Sequence, residues 1–247
     1  MNTIAVALSI MPDGEIEIPK GLEISWKPKD LEQSKIRARN HAEKSTYVYV
    51  AESLFEYLTE ISKNPFWFYP DINFSGEDKK AIKVYNFLIQ IPQISEELAI
   101  ISELLCHWRN KIIHASTSNA NLSSKKRDLI ILKRDPIYES FHHFDTRVAL
   151  ENFDKKQITL KDVSTMTTIV IRCCRAVDEY FFNGIKQIKD YADYKSILLS
   201  NSNFLAITKQ TPSDKKNRQI EKWLQLNYPY LEPEKQIKLT ELFIDKA

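Results

Sequence analysis

The chain contains little glycine, 4 residues in 247. Loops that cradle phosphates need several glycines at fixed spacing, and neither G-x-G-x-x-G nor G-x-x-x-x-G-K-[ST] occurs. We therefore set aside dinucleotide-binding and P-loop folds.

Cysteine is also scarce, and the three residues are Cys106, Cys173 and Cys174. Their number is odd, they lie in segments typical of helix, and no C-x-x-C occurs, which excludes a disulfide framework and a common zinc site. No apolar run reaches the roughly 18 residues of a membrane span, and residues 1–11 make a poor signal peptide. We expect a cytoplasmic protein that uses no metal and no cofactor.

A strong charge of either sign is missing as well. The 35 Lys and Arg residues nearly balance the 33 Asp and Glu residues, for a formal net charge of +2. This excludes a histone-like nucleic-acid coat and an acidic disordered tail. The hydrophobic fraction of 43% is enough for a packed core.

The chain divides by pattern into three parts. Residues 1–29 alternate polar and apolar side chains around a Pro-Asp-Gly turn, which predicts a small β-hairpin. Residues 30–190 are rich in amphipathic helical segments, and 191–247 predict a C-terminal helical extension, with short helices around Trp223 and Leu242. The expected fold class is all-α.

Four long helices are predicted in the central part, over 31–63, 77–91, 95–115 and 160–189. Capping boxes mark several starts, including Ser75 with Asp78 and Thr159 with Asp162, and Ser95 heads the third helix. Between the third and fourth helices we expect a polar loop over 116–128 and a short strand over 129–132. Apolar stripes on these helices must be buried against each other, so we expect a four-helix up-down bundle.

Polar side chains form a second line on the third helix, opposite its apolar stripe. Glu103, His107, Asn110 and His114 follow spacings of 4, 3 and 4, and Arg109 flanks them. The planar fork of an arginine suits a phosphate group, and a histidine transfers protons near neutral pH. Such groups suffice for metal-independent cleavage of RNA by its own 2′-hydroxyl. The alternative is that these cations only meet the dipole at the end of a helix.

The string Arg109-Asn110-Lys111-Ile112-Ile113-His114 resembles the R-x4–6-H motif of the HEPN superfamily (higher eukaryotes and prokaryotes nucleotide-binding domains). It is the one match to that motif in the chain, and Asn is common after the Arg in this family. The resemblance covers residues 30–189. It implies a four-helix bundle with the motif late in a helix.

The resemblance further implies a homodimeric endoribonuclease in which two motif helices build one composite site. Arg109 would hold the scissile phosphate, His114 would act as general acid or base, and Asn110 would orient either group. The products would be a 2′,3′-cyclic phosphate and a 5′-hydroxyl. Such domains occur as toxins and in abortive infection and other antiviral defence. One subgroup carries a Tyr two residues after the motif His that a partner enzyme modifies. Here Ser116 stands there, so we expect no such neutralisation.

Other cationic and polar residues are candidate RNA contacts, with a solvated surface as the alternative for each. They are His107 and Glu103 on the polar line, Lys111 within the motif, Arg37, Arg39 and His41 on the first helix, and Lys125, Lys126 and Arg127 after the site.

Two alternatives to the enzyme stay open at this level. One is a non-catalytic HEPN module that binds RNA, a nucleotide or a protein partner, which the weak net charge favours. The other is a helical scaffold unrelated to this superfamily. An antitoxin or a defence-system partner would accompany the enzyme.

Overall fold

A computed structural model of the chain describes residues 31–64, 66–67, 69, 71–76, 79–114, 121–187, 190–229 and 233–243. Within these residues the chain forms eleven α-helices and no strand, which confirms the all-α prediction. The predicted hairpin of 1–29 lies outside the described residues. The helices are α1 (Leu31–Ser62), α2 (Lys80–Leu88), α3 (Glu96–Ile113), α4 (Ser124–Leu132), α5 (Arg134–Ser140), α6 (Thr146–Asp154), α7 (Leu160–Gln187), α8 (Tyr191–Ser200), α9 (Ser202–Thr208), α10 (Ser213–Asn227) and α11 (Pro233–Glu241).

Local capping signals set the starts of α3 and α7. The Ser95 hydroxyl accepts a hydrogen bond from the Leu98 N–H at 3.3 Å. Before α7, the Thr159 N–H donates to Asp162 Oδ2 at 2.9 Å, and the Asp162 N–H donates to Thr159 Oγ1 at 3.2 Å. Each bond satisfies a backbone donor that the helix itself leaves unpaired. Both predicted starts are confirmed.

Helix α3 lies at the centre of the main core. It packs against α1, α2, α7 and α4, and every residue from Leu98 to Trp108 is buried. The Trp108 ring lies between Tyr47 of α1 and Phe153 of α6, with centroid distances of 5.1 and 5.8 Å. A helix that is covered on all sides can expose only its ends, so the last turn of α3 is its accessible part.

Helices α1 and α7 run in the same direction, whereas α3 runs against them. The Tyr57 hydroxyl donates to Asp178 at 2.6 Å, and earlier in both helices Tyr47 lies within electrostatic range of Asp162. The order of contacts is reversed for α3, where Trp108 packs on Tyr47 while Ser102, earlier in the chain, lies 3.3 Å from the Cys173 sulfur.

Helix α2 also runs against α3. Lys80 lies beside Arg109 across a carboxylate of α1, and Tyr85 lies beside Glu103 across Lys126. Helices α1 and α2 are therefore parallel although they follow one another in the chain. The alternating order of an up-down bundle does not describe these four helices.

Three local expectations are wrong. The segment 129–132 is the end of α4 and not a strand, and this helix begins at Ser124, where the expected loop 116–128 should continue. Packing of Ile130 into the core between α3 and α6 outweighs the β propensity of its neighbours. Helix α2 begins at Lys80, later than expected from the Ser75 capping signal, and Lys79 makes no side-chain cap.

The C-terminal part forms a second core. Its buried side chains come from α8 to α11, together with Phe66 and with Phe181 and Ile185 from the end of α7. Two short helices were expected after residue 212, around Trp223 and Leu242. Helix α10 contains Trp223 and α11 ends one residue before Leu242, while α8 and α9 add two helices before them. Because α7 contributes to both cores, it joins the two parts of the chain. Among the described helices, none has the length and apolar character that crossing a bilayer requires.

Candidate functional site

The last turn of α3 presents the three motif residues. The helix ends at Ile113, and His114 leaves it with φ −111° and ψ 88° while its N–H still donates to the Asn110 carbonyl at 2.9 Å. The His114 side chain is exposed, and Arg109 and Asn110 are half-buried. The imidazole is therefore accessible to a substrate, whereas the guanidinium is held at the edge of the packed core.

Two neighbours hold the Arg109 side chain, of which 17% is exposed. Its Nη1 donates to Asn110 Oδ1 at 2.9 Å, and its Nη2 forms an ion pair with Glu52 Oε1 of α1. Its Nε is buried without a hydrogen-bond partner. Asn110 therefore orients the guanidinium, and Glu52 contacts it through one nitrogen only.

The Glu52 carboxylate bridges two cations from two other helices. Besides Arg109 of α3, it pairs with Lys80 of α2, whose Nζ lies 3.2 Å from Glu52 Oε2. The same ammonium lies 4.3 Å from the centre of the Phe55 ring. Glu52 and Lys80 could not be recognised from the sequence, because no local pattern distinguishes them from other charged residues on amphipathic helices.

These groups line a small cleft between α1, α2 and α3. Its wall also includes Cys106, one turn before Asn110. Burial, followed by the charges of Glu52 and Glu103, raises the pKa of the Cys106 thiol to about 12. The thiol is therefore protonated at neutral pH and does not act as a nucleophile there.

Glu103 and His107, expected on a solvent-facing line, are buried instead. His107 Nε2 lies 3.4 Å from Glu103 Oε1, and Lys126 of α4 pairs with Glu103 Oε2. Lys126 also lies over the Tyr85 ring at 3.1 Å. The expectation that Glu103 and His107 contact RNA is wrong, because packed helices cover α3 on every side up to Trp108. Lys126 lies on α4, half-buried, and its contact with RNA stays a prediction. These side chains fix α4 to α3.

Lys111 belongs to the motif string but points toward the core. Its Nζ lies 3.5 Å from the centre of the Phe153 ring. Burial lowers the pKa of this lysine, while the nearby Asp154 carboxylate opposes that shift. Because its ammonium packs against the Phe153 ring, the main role of Lys111 is to hold α6 against α3.

The remaining candidate contacts lie around this end of the molecule. Arg37 and His41 are exposed, and Arg39 pairs with Glu43 at 2.9 Å. Their position on α1 lies roughly 16–22 Å along the helix axis from Glu52, at a rise of about 1.5 Å per residue. After the site, Lys125 is exposed and Arg127 binds Asp154 through both terminal nitrogens. The structure brings none of these five residues into contact with Arg109.

Within the part of the chain that the structure describes, no three His, Cys, Asp or Glu side chains lie close enough together to hold a metal ion. Comparison of the chain with known protein families, with curated proteins and with solved structures found no match. The chemistry of the site must therefore be argued from its own residues.

Proposed function

We propose that this chain is a metal-independent endoribonuclease of the HEPN type, with Arg109, Asn110 and His114 as its catalytic residues. The observation that carries the proposal is the last turn of α3. It presents an exposed imidazole five residues after a guanidinium that Asn110 holds in place. The resemblance of the Arg-Asn-x-x-x-His string to the HEPN motif agrees with this chemistry.

The reaction needs few groups. The 2′-oxygen of RNA bonds to the adjacent phosphorus, its proton leaves, and the bond from phosphorus to the 5′-oxygen breaks. Arg109 stabilises the charge that develops on the non-bridging oxygens. An imidazole takes the proton of the nucleophile or gives one to the leaving 5′-oxygen. The products carry a 2′,3′-cyclic phosphate and a 5′-hydroxyl.

A homodimer supplies the second imidazole. The reaction moves two protons, and among the described residues the motif contributes one imidazole per chain, that of His114. Two motif ends that face each other would provide a base and an acid at once. Within each chain, α1, α2, α3 and α7 would correspond to the four helices of the HEPN bundle. Their directions differ from an alternating order.

Cleavage of RNA by a dimer of this kind suits a role in antiviral defence or as a toxin, where degradation of cellular or phage RNA stops growth. Such an enzyme needs control, so an antitoxin or another defence-system partner belongs to the proposal.

A cleavage assay tests the proposal. Purified protein is incubated with total RNA in the presence of a chelator, beside Arg109→Ala and His114→Ala. His142→Ala, which removes an exposed histidine outside the motif, serves as the matched control. We expect the wild type and His142→Ala to cut the RNA and to leave cyclic phosphate ends. Intact RNA in all samples, or a strict need for a divalent metal, would contradict the enzyme.

The second candidate is a non-catalytic module that binds RNA. The ion pair between Arg109 and Glu52 favours it, because the guanidinium already has an anionic partner. Intact RNA in the cleavage assay, together with a gel shift by the wild type, would establish the module in place of the enzyme.

A further inference from the structure

The bridge formed by Glu52 suggests how RNA enters this site. Two cations from different helices, Arg109 of α3 and Lys80 of α2, meet on the two oxygens of one carboxylate of α1. Phosphodiesters offer two non-bridging oxygens on one central atom, as a carboxylate does, and arginine recognises both groups with the same planar fork.

We propose that Lys80 is a second phosphate-binding residue, and that Glu52 occupies the position of the substrate phosphate until RNA displaces it. This inference rests on the proposed function and deepens it. It gives the site a second cation that the motif does not contain. It also gives the resting protein an internal anion that competes with RNA.

The exposure of the three side chains supports displacement. Arg109 is 17% exposed, whereas Glu52 is 37% and Lys80 is 44% exposed. The carboxylate lies at the surface and can rotate into solvent, while the guanidinium stays between α1 and α3. Ion pairs with this much exposure contribute little to stability, so breaking this one costs the fold little.

The donors of Arg109 support the same conclusion. Glu52 contacts Nη2 alone, and Nε is left buried without a partner. A phosphate can accept from Nε and Nη2 together in a bidentate arrangement. Departure of Glu52 would also leave two positive charges facing the phosphate, in place of the present net charge of one.

The binding test uses a labelled 2′-O-methyl oligoribonucleotide of randomised sequence, which lacks the attacking hydroxyl. Removal of the competing charge in Glu52→Gln is expected to tighten binding about fivefold. Loss of one phosphate contact in Lys80→Gln is expected to weaken binding about tenfold and to lower the salt slope by about one. Single-turnover cleavage of the corresponding RNA, with subsaturating protein, should follow the same order.

A second ion pair between helices provides the matched control. Glu97 lies 4.0 Å from Lys133, away from the cleft. Glu97→Gln and Lys133→Gln change the net charge by the same amounts, so they measure the long-range effect of charge alone. Both should bind the probe nearly as the wild type does.

The outcomes separate the two proposals. Active wild type and inactive His114→Ala, with no tighter binding by Glu52→Gln than by Glu97→Gln, would overturn the displacement. Loss of cleavage in both Glu52→Gln and Glu52→Ala, with both folded by circular dichroism, would show instead that Glu52 is needed to hold Arg109. If the wild type neither binds nor cuts RNA, both the proposed function and the displacement of Glu52 are overturned.

Discussion

The middle and the last turn of α3 carry similar side chains in opposite surroundings. In the middle, packed helices enclose Glu103 and His107, and the half-buried Lys126 of α4 pairs with Glu103. One turn later, Arg109 pairs with Glu52 at the edge of a cleft, and His114 is exposed. The same chemistry thus holds helices together in one place and remains accessible to a ligand in the other.

This difference shows that burial, more than residue type, separates structural from functional charges on one helix. A buried ion pair leaves an uncompensated charge when one partner is removed, so the fold depends on both partners. An exposed pair is nearly neutral for stability. Substitutions in the two regions should therefore affect different measured quantities.

The largest expected effect is on catalysis, at the exposed end. His114→Ala removes the proton-transfer group and should lower the cleavage rate by about 10²–10⁴-fold. Because the side chain is exposed, the free energy of unfolding should change by less than about 0.5 kcal/mol. Single-turnover cleavage and urea denaturation measure the two quantities. A large loss of stability in His114→Ala would contradict the distinction between a functional last turn and a structural middle of α3.

In the middle of α3, a substitution is expected to lower stability and to leave the cleavage rate nearly unchanged. Glu103→Ala leaves Lys126 and His107 without their shared carboxylate and should lower the free energy of unfolding by about 3 kcal/mol. Cleavage per folded molecule should stay close to wild type. Glu97→Ala, two turns earlier on the same helix, is the control and should change stability little. Equal denaturation midpoints for the two variants would contradict the structural role of Glu103.

A smaller effect is expected at Asn110, which lies beside Arg109 in the last turn of α3. Asn110→Ala removes the acceptor that orients the Arg109 guanidinium at 2.9 Å. Loss of one such bond, worth about 1 kcal/mol, should lower the cleavage rate roughly five- to tenfold. Asn110→Asp retains an acceptor and should lose less. Equal losses in both variants would show that the amide nitrogen matters more than the oxygen.

The smallest effect concerns Lys111 and depends on pH. Burial against Phe153 lowers the pKa of Lys111 below its ordinary value of 10.5, so the unfolded chain binds this proton more tightly than the folded one. Stability supplied by this group therefore rises with pH through the range just below 10.5. Groups with a raised pKa, such as the Cys106 thiol, lose stability over the same range, so the difference between the wild type and Lys111→Met in denaturation is the test. Between pH 7 and pH 10, the wild type should lose less stability than Lys111→Met. A similar pH dependence in both would exclude Lys111 as its source.

Local signals in the sequence predicted the helices well where a cap fixed their start. The Ser95 and Thr159 caps were recognised because each depends on neighbours within one turn. The strand expected at 129–132 was wrong, since Ile130 is placed by contacts with distant helices.

For the candidate site, residues adjacent in the sequence could be predicted and residues from other helices could not. The motif residues are adjacent in sequence, so Arg109, Asn110 and His114 could be proposed together. Glu52 and Lys80 reach Arg109 only because α1 and α2 run parallel and α3 runs against both. The burial of Glu103 could not be predicted from the sequence either, because it depends on how many helices pack around α3, which only the whole fold determines.

The reversed direction of α3 has an electrostatic consequence. Its C-terminal end lies at the level where α2 and α7 begin, and α1 begins beyond it. Every helix carries a macrodipole with a partial charge of about +0.5 at its N-terminus and about −0.5 at its C-terminus, so the starts of α2 and α7 together outweigh the end of α3. Asp162 offsets part of this charge at the start of α7. Backbone amides thus make this end of the molecule more positive than its side chains alone indicate, so a polyanion can be attracted there by a chain of nearly balanced net charge.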